Sequence, residues 1–489
     1  MPLKVHHEPS FRTKLDAFPH QAEAVHAVKD LSHAALFHEQ GLGKTKIGLD
    51  LASYWLSEGI VDSVVIVAKK GLIDNWRQEI ATHTFLTPAI IGGDRKSNYF
   101  AFNRPSRIYL THYEAVVGER QRFALFLKTR RVAAILDEAH RIKNPETKAA
   151  RALFELSKLF VRRVIMTGTP IANRPFDIWG PVFFLDGGMS FGRDFDEFKR
   201  DLDLSNDLYA ERTKAERFEA KLSGIFEKIR PFSVRATKNA SGIYLPEKRV
   251  SDIPVQLEAR QEELYRQYRE EMAAVVVSDA QPVFDDAELI LKRLLRLVQV
   301  ASNPRLLDES YNEIPGKVAA LDAIVDEVCR GDGKLIVWTS FTGNVDWLAK
   351  RFRDNGSTRV HGKMAIVDRN QSVQKFKQDD DTRLLFATPA AAKEGLTLTV
   401  ANRAVFFDRS FSLDDYLQAQ DRIHRISQTQ ECLIENLIGN DTVDEWVDAL
   451  LSAKKLAAQL AQGDIDHAAY SEVASYEFGE IVNRILFGE

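Results

Sequence analysis

The sequence predicts an α/β fold with two parallel-sheet lobes and helical insertions between them, and three observations support this prediction. Short apolar, β-branched runs recur along the chain, as expected for parallel strands that are buried on both faces. Helical patterns separate most of these runs, and strands that alternate with helices are typical of an α/β sheet. The runs also fall into two groups, at about residues 30–170 and 317–440, with a long helix-forming stretch between them.

The first group contains four predicted strands, at residues 63–68, 107–111, 132–136 and 163–166. The second group contains three, at residues 335–338, 383–387 and 404–407. The clearest helical patterns lie beside them, at residues 46–58, 71–82, 145–160 and 343–355. This alternation predicts one sheet in each group.

The stretch between the two groups is rich in charge and in helix-forming residues, at 192–235 and 256–300. We therefore expect two helical insertions that separate two α/β lobes. The predicted organisation is a first lobe at 1–185, an insertion at 186–245 that returns to that lobe, a second insertion at 246–315, a second lobe at 316–450 and a helical tail at 451–489. The tail either contacts a partner or braces the second lobe, and the plainer prediction is the brace.

The composition of the 489 residues, 45% hydrophobic and 28% charged, is that of a globular protein and excludes a disordered or fibrous one. The net charge of −4 does not indicate a nucleic-acid partner. It does not exclude one, because a basic stripe can be offset by acidic surface elsewhere.

Two cysteines, Cys329 and Cys432, are too few for a disulfide framework or a structural zinc site. The N-terminus has no apolar run of the signal-peptide type, and no stretch approaches the length of a membrane span. We therefore expect a cytoplasmic protein with no membrane partner.

The first candidate site is the segment HEQGLGKT at residues 38–45, between a short apolar run and a helical pattern. Gly41 and Gly43 would let backbone N–H groups approach phosphate oxygens. Lys44 would reach the β- and γ-phosphates, and the Thr45 hydroxyl would bind Mg²⁺. The strict phosphate-loop pattern has glycine where this segment begins with histidine, so a chance GKT at a helix start is the alternative.

The second candidate site follows the predicted strand at 132–136, where the chain continues with Asp137 and Glu138. Parallel sheets place their ligands at the carboxyl ends of their strands. Asp137 would hold Mg²⁺ through water, and Glu138 would orient or deprotonate the attacking water. The alternative is that the two acids only cap the next helix. The presence of Lys44 upstream in the same lobe makes this alternative less favourable than a role in nucleotide binding.

A third motif, Thr167-Gly168-Thr169-Pro170, again follows an apolar strand directly. By itself this segment predicts only a turn. Its place after the other two motifs indicates an element that couples the nucleotide to the second lobe.

The second lobe ends with the segment QAQDRIHRISQ at residues 418–428. Arg422 and Arg425 are spaced i, i+3, so on a helix they would share one face. Two such arginines could act as arginine fingers on γ-phosphate oxygens. Surface salt bridges are the alternative.

In this order and spacing, the motifs resemble motifs I, II, III and VI of superfamily-two helicase-like ATPases, and more narrowly those of the Swi/Snf-type family of DNA translocases. Further segments extend the resemblance over about residues 15–450, among them FPHQ ending at Gln21, IRPFSVRATK at 229–238 and EGLTLT at 394–399. The sequence departs from the family at His38, where aspartate is usual, and at Ala392 and Lys393, where a glycine pair is usual.

The resemblance implies two RecA-like lobes and the cofactors ATP and Mg²⁺. It implies that nucleotide is bound by Gln21, Gly41, Leu42, Gly43, Lys44, Thr45, Asp137, Glu138 and Gly395, with Arg422 and Arg425 completing the site. It also implies phosphate contacts with DNA from Lys69, Lys70, Thr111, Ser340, Thr397 and Thr399. Since phosphate contacts carry no sequence information, we expect duplex or branched DNA bound without sequence specificity.

The resemblance therefore implies a DNA-stimulated ATPase that moves on DNA, in DNA repair, recombination or replication. A motor with so little flanking sequence fits the cytoplasm of a bacterium or of a phage-infected cell. Two alternatives stay open. One is an RNA helicase of the DEAH type, and the other is the motor subunit of a larger defence or restriction-like assembly, with a protein partner bound through the helical insertions or the C-terminal tail.

Overall fold

A computed structural model of the chain describes residues 8–171, 173–200, 202, 212–238, 241, 245–278, 287–392, 397–425 and 427–473. These residues divide into two compact units. Unit 1 consists of the described residues of 1–203, 217–243 and 458–466. Unit 2 consists of those of 204–216, 244–457 and 467–489.

The described part of unit 1 contains a seven-stranded sheet in which every strand pair is parallel. Its strands are β1 (His33–Leu36), β2 (Ser63–Ala68), β3 (Ala89–Ile91), β4 (Ile108–His112), β5 (Val132–Asp137), β6 (Arg162–Met166) and β7 (Ser233–Val234). Their order across the sheet is β3-β4-β2-β5-β6-β1-β7. The residues of β2 are all buried, because helices cover both faces of the sheet.

The helices of this first part of the chain are α1 (Pro19–Val28), α2 (Lys44–Ser57), α3 (Ile73–His83), α4 (Arg95–Asn103), α5 (Tyr113–Gly118), α6 (Arg120–Thr129), α7 (Lys148–Ser157), α8 (Trp179–Asp186), α9 (Phe195–Arg200) and α10 (Arg212–Ile229). Side chains that precede a helix cap three of them, and His112 accepts a hydrogen bond from the N–H of Ala115 at α5. Asp94 accepts a hydrogen bond from the N–H of Ser97 at α4, and Thr147 accepts one from Ala150 at α7, which satisfies N–H groups that a helix leaves without a partner.

The described part of unit 2 contains a second all-parallel sheet, of six strands. Its strands are β8 (Lys248–Val255), β9 (Leu335–Trp338), β10 (Ser357–Val360), β11 (Leu384–Ala387), β12 (Arg403–Phe406) and β13 (Cys432–Gly439). Their order is β10-β11-β9-β12-β13-β8.

The remaining helices are α11 (Ala259–Ser278), α12 (Ala287–Ser302), α13 (Gly316–Arg330), α14 (Thr342–Arg351), α15 (Ile366–Gln378), α16 (Pro389–Ala392), α17 (Leu413–Gln420), α18 (Val443–Ala461) and α19 (His467–Val473). Residues 458–461 of α18 belong to unit 1. No helix in the described ranges combines the length and the apolar character that crossing a membrane requires.

The predicted fold class, two parallel-sheet α/β lobes with helices, is confirmed, and all seven predicted strands are present with ends shifted by one residue at most. The organisation differs from the prediction at two places. Residues 248–255, expected within a helical insertion, form β8 at the edge of the second sheet. Residues 458–466, expected in a tail that braces the second lobe, belong to unit 1.

Candidate active site

Two motifs predicted to bind nucleotide and Mg²⁺, and the motif predicted to couple them to the second lobe, lie at the carboxyl edge of the unit 1 sheet. The segment 38–45 follows β1, Asp137 is the last residue of β5, and the segment 167–170 follows β6. Because β5, β6 and β1 are neighbours in the sheet, segments that are far apart in sequence meet at one edge. This is the edge at which open α/β sheets bind their ligands.

The loop before α2 has the backbone geometry of a phosphate-binding loop. Gly41 and Gly43 have φ angles of +89° and +74°, a region that side chains other than glycine rarely occupy. Space also requires glycine at Gly43, since a Cβ there would lie 2.2 Å from Nε2 of Gln21. Helix α2 begins at Lys44, so the N–H groups of its first turn and its positive dipole end lie at this loop.

Helix α1 holds the loop through two side chains. Gln21 accepts a hydrogen bond from the N–H of Phe18 at 3.0 Å and donates to the carbonyl oxygen of Leu42 at 3.2 Å. Nε2 of His20 lies 3.1 Å from the same oxygen. The structure therefore brings the predicted residue Gln21 to the loop, and it adds His20, which the sequence analysis missed.

Lys44 donates from Nζ to the carbonyl oxygens of His38 at 2.9 Å and Glu39 at 3.3 Å. The segment 167–170 lies close to it, since a Cβ at Gly168 would come within 3.2 Å of Lys44 Nζ. Thr167 is buried, and its hydroxyl accepts a hydrogen bond from the N–H of Thr169 at 3.2 Å. The predicted coupling segment therefore packs directly against the lysine of the loop.

His38 is fully buried below the loop. Burial, with the nearby charge of Lys44 as the second cause, lowers the pKa of His38 to about 4. Its imidazole is therefore neutral near pH 7, unlike the carboxylate that is usual here in the family that the sequence resembles.

Asp137 is held by two aromatic side chains. Trp76 donates from Nε1 to Oδ2 of Asp137 at 2.8 Å, and the Tyr113 hydroxyl donates to its main-chain oxygen at 2.7 Å. Burial and the neighbouring Glu138 raise the pKa of Asp137, while the Trp76 bond and the charge of Lys44 act against that rise. The two aromatic contacts join segments that no sequence spacing connects.

Glu138 has φ +52° and ψ +52°, a left-handed conformation that is unusual for a residue with a side chain. Such backbone strain is concentrated at functional sites. Oε2 of Glu138 lies 3.3 Å from Nδ1 of His140. This left-handed backbone redirects the chain directly after Asp137.

Thr45 and Asp137 are the predicted Mg²⁺ ligands. Thr45 lies in the first turn of α2 and is half-buried. The two residues offer a hydroxyl and a carboxylate, which are oxygen donors of the class that Mg²⁺ prefers. The donor set therefore fits the ion.

In unit 2 the predicted arginine fingers do not lie on a helix, because α17 ends at Gln420. Arg422 and Arg425 lie in the turns that follow, so the expected shared helical face is absent. Each Nε instead donates to a carbonyl four residues earlier, Arg422 to Gln418 at 3.1 Å and Arg425 to Asp421 at 2.9 Å. These bonds hold the two guanidinium groups against the end of α17, and Arg422 is only 2% exposed.

The segment after α16 contacts the arginine segment. Arg425 donates from Nη1 to the Thr397 hydroxyl at 3.0 Å, and the hydroxyls of Thr399 and Ser427 lie 3.0 Å apart. Gln428, which the sequence analysis did not single out, is buried and donates to the carbonyl oxygens of Thr399, Ala401 and Ile423. The predicted nucleotide ligand Gly395 lies outside the described residues.

The other predicted DNA contacts have different surroundings. Lys69 and Lys70 follow β2, and Lys70 is exposed. Thr111 is buried and its hydroxyl donates to the carbonyl oxygen of Ile91 at 2.7 Å, so a phosphate contact from this hydroxyl would require that bond to break. Ser340 follows β9 and donates its N–H to Asp408 at 2.6 Å.

Comparison with known families gives two matches. The chain matches the SNF2-related domain over residues 20–306 and the helicase conserved C-terminal domain over residues 316–427. The first match alone covers more than half of the chain.

Curated relatives are similar over most of this chain. An uncharacterized ATP-dependent helicase of Mycoplasma genitalium is 26% identical over 93% of this chain and 43% of its own length. The putative ATP-dependent helicase/translocase YwqA of Bacillus subtilis is 26% identical over 88% and 47%, respectively. The ISWI chromatin-remodeling complex ATPase ISW1 of Saccharomyces cerevisiae is 24% identical over 84% and 37%. The chain thus spans less than half the length of these relatives.

Among solved structures, the SWI2/SNF2 ATPase core of Sulfolobus solfataricus in complex with dsDNA is 24% identical in sequence. The alignment covers 98% of this chain and 99% of that chain, with a TM-score of 0.42.

Proposed function

We propose that this chain, which belongs to the SNF2-related family, is a motor that hydrolyses ATP in response to DNA and uses the energy to move along it. The observation that carries the proposal is the cluster at the carboxyl edge of the unit 1 sheet, where Asp137 ends β5 and Lys44 lies beside Gly168. The name of the Bacillus subtilis relative, a putative helicase/translocase, supports the same function.

The glycine loop and the start of α2 would bind the phosphates of ATP. Backbone N–H groups around Gly41, Leu42 and Gly43 would cradle the β-phosphate, and the helix dipole favours negative charge there. Lys44 would exchange its carbonyl acceptors at His38 and Glu39 for phosphate oxygens. Thr45 and Asp137 would hold Mg²⁺, which neutralises phosphate charge when bound.

Glu138 would act on the attacking water. Its left-handed backbone redirects the chain directly after Asp137, and its Oε2 lies 3.3 Å from Nδ1 of His140. A carboxylate held in this way can position the water and accept its proton. From the family resemblance we further propose that Gln21 and Gly395 contribute to nucleotide binding, that Thr167, Gly168 and Thr169 couple it to movement, and that Arg422 and Arg425 bind γ-phosphate oxygens.

We propose that DNA is bound through its phosphates, without sequence specificity, by Lys69, Lys70, Thr111, Ser340, Thr397 and Thr399. Exposed Lys70 is the simplest of these contacts, since it requires no rearrangement. A role in DNA repair, recombination or replication rests on the resemblance alone. Sensitivity of a deletion strain to DNA damage would test it.

The decisive experiment measures ATP turnover alone and with duplex DNA, forked DNA, single-stranded DNA or RNA. We expect stimulation by DNA that contains duplex, and turnover at least about 10²-fold lower in the variant Glu138→Gln. Turnover that ignores DNA would overturn the translocase proposal, and stimulation by RNA alone would favour an RNA helicase. Displacement of a third strand from a triplex, compared with unwinding of a fork, would separate tracking along the duplex from strand separation.

A further inference from the structure

The end of α18 and the turn that follows it pack into unit 1. Gly463 has φ +73° and donates its N–H to Leu460 at 3.0 Å, which closes the helix with a left-handed residue. Its position also requires glycine, since a Cβ there would lie 2.6 Å from the ring of Phe226 on α10. Asp464 donates its N–H to the carbonyl oxygen of Gln459 at 2.9 Å. This turn therefore holds Asp464 in a defined position beside α10.

Asp464 forms a two-pronged ion pair with Arg235, which lies 229 residues earlier in the chain. Nε and Nη2 of Arg235 each donate to one carboxylate oxygen of Asp464. The side chains are only 18% and 20% exposed, so water screens this pair less than it screens one at the surface. Paired charge-assisted bonds of this kind constrain orientation as well as distance.

The remaining guanidinium nitrogen of Arg235 contacts the segment that leads into the glycine loop. Nη1 donates to the carbonyl oxygen of Phe37 at 3.2 Å, one residue after β1 ends. The backbone continues this contact along the loop, because Phe37 donates to Val234 at 2.8 Å and Glu39 donates to Ala236 at 3.0 Å. The segment around Arg235 therefore lies alongside the entry to the phosphate-binding loop.

The loop entry is also where the catalytic lysine is held. Lys44 donates to the carbonyl oxygens of His38 and Glu39, the two residues that follow Phe37. A continuous series of contacts thus runs from Asp464 through Arg235 to the residues that hold Lys44.

We propose that Arg235 and Asp464 form a latch through which the C-terminal segment, residues 458–466, positions the phosphate-binding loop for nucleotide. Both are positioning residues, since they act through the loop. This inference rests on the proposed function, because it takes ATP as the nucleotide. With the latch open, the loop entry samples more conformations, and the affinity for ATP falls in proportion to the fraction of molecules that stays competent to bind.

The test uses the full chain with Asp464→Asn, which keeps the size of the side chain and removes its charge. We expect the Kd and KM for ATP to rise about 5-fold or more, with kcat at saturating ATP and DNA changed less than about 2-fold. Asp16→Asn, which removes the charge of an exposed acid elsewhere in unit 1, is the matched control and should leave all three constants unchanged. Unchanged ATP affinity in a folded Asp464→Asn protein would overturn the latch.

A charge swap separates positioning from simple stabilisation. Arg235→Asp combined with Asp464→Arg restores an ion pair. The aspartate at position 235 cannot donate a hydrogen bond to the carbonyl oxygen of Phe37, so that contact is lost. We expect the swap to recover thermal stability relative to Arg235→Asp alone while ATP affinity stays low. Full recovery of affinity would mean that the pair acts only through stability, which would overturn the proposal.

Hydrogen exchange without nucleotide distinguishes failure of the latch from failure of the proposed function. We expect Asp464→Asn to increase exchange of the amides at residues 37–45, whichever nucleotide the protein uses. Faster exchange in Asp464→Asn, together with a wild-type protein that does not bind ATP, would support the latch and reject ATP as the nucleotide. Exchange equal to that of the wild type would reject the latch itself.

Discussion

Glu138 is the residue whose loss should separate binding from chemistry. In Glu138→Gln the side chain keeps its shape but can no longer accept a proton, so we expect turnover to fall by at least about 10²-fold. ATP affinity should stay within a few-fold, because the phosphate-binding loop is unchanged. Measured turnover and equilibrium nucleotide binding test this, with exposed Glu146→Gln as control. Normal turnover in Glu138→Gln would reject its assignment.

His38 should make the stability of unit 1 depend on pH. The folded pKa of about 4 lies below the unfolded value of about 6.5, so between these values the unfolded chain binds more protons. Stability is therefore fully present above about pH 6.5 and is lost as the pH falls towards 4. Between pH 7 and pH 5 the loss due to His38 should be about 2 kcal/mol.

Urea unfolding at the two pH values measures this effect, with His38→Gln as the variant that cannot titrate. The fall in unfolding free energy should be smaller in His38→Gln by the stated amount. An equal fall in both proteins would mean that His38 is not held neutral in the folded chain.

Arg425 tests the proposed arginine fingers. If its guanidinium binds γ-phosphate oxygens during hydrolysis, Arg425→Ala should lower turnover by about 10³-fold or more. ATP affinity should change little, because the finger acts in the transition state. Exposed Arg249→Ala, on the edge strand β8, is the matched control. Retained turnover in Arg425→Ala would favour the alternative of a purely structural arginine.

At the scale of elements, Asp408 joins three parts of unit 2. It follows β12 and accepts hydrogen bonds from Ser302 at the end of α12, at 2.7 Å, and from the N–H of Ser340 after β9, at 2.6 Å. The carboxylate is only 1% exposed. Its removal would leave buried donors without a partner, and each such group costs about 1–3 kcal/mol.

We therefore expect Asp408→Ala to lower the unfolding free energy of unit 2 by about 3 kcal/mol, measured by urea unfolding. Exposed Asp381→Ala should change it by less than about 0.5 kcal/mol. A loss below about 1 kcal/mol in Asp408→Ala would show that water or a neighbour replaces the carboxylate.

The same scale explains which strands the sequence predicts. Strand β2, SVVIVA, has six buried residues, and its nearly continuous apolar run predicts a buried strand. Strand β8, KRVSDIPV, lies at the edge of its sheet and is mostly exposed, so it needs no apolar run. Its pairing with β13 over eight residues is invisible in composition, because backbone hydrogen bonds hold it in place.

At the scale of the whole chain, the net charge of −4 is consistent with DNA binding only if cations are concentrated locally. Lys69 and Lys70 are the two cations among the proposed DNA contacts. Each phosphate that they neutralise should contribute about −0.9 to the slope of log affinity against log salt concentration. We therefore expect modest affinity that falls as the salt concentration rises, with about −1.8 of the slope due to these two lysines.

The double variant Lys69→Ala/Lys70→Ala should make this slope shallower by about 2. Binding to duplex DNA at several salt concentrations measures it, and Lys128→Ala/Lys158→Ala, two exposed lysines of unit 1, is the control. An unchanged slope would place the DNA-binding cations elsewhere.

The sequence by itself determined the fold class, the order of the motifs and the glycines of the loop before α2. These features are local, since burial of a central strand, a helix start and a positive φ each leave a pattern within a few residues. Gly41 and Gly43 could therefore be identified without coordinates.

Only the tertiary structure decided which side chains support that loop and its neighbouring acids. Trp76 reaches Asp137 across 61 residues, and Arg235 reaches Asp464 across 229. The structure also places Arg422 and Arg425 after the end of α17 and not on a helix. There their Nε groups donate to carbonyl oxygens at the end of that helix. Such contacts depend on the order of strands in the sheet and on where distant segments return, and no spacing within a single segment encodes either.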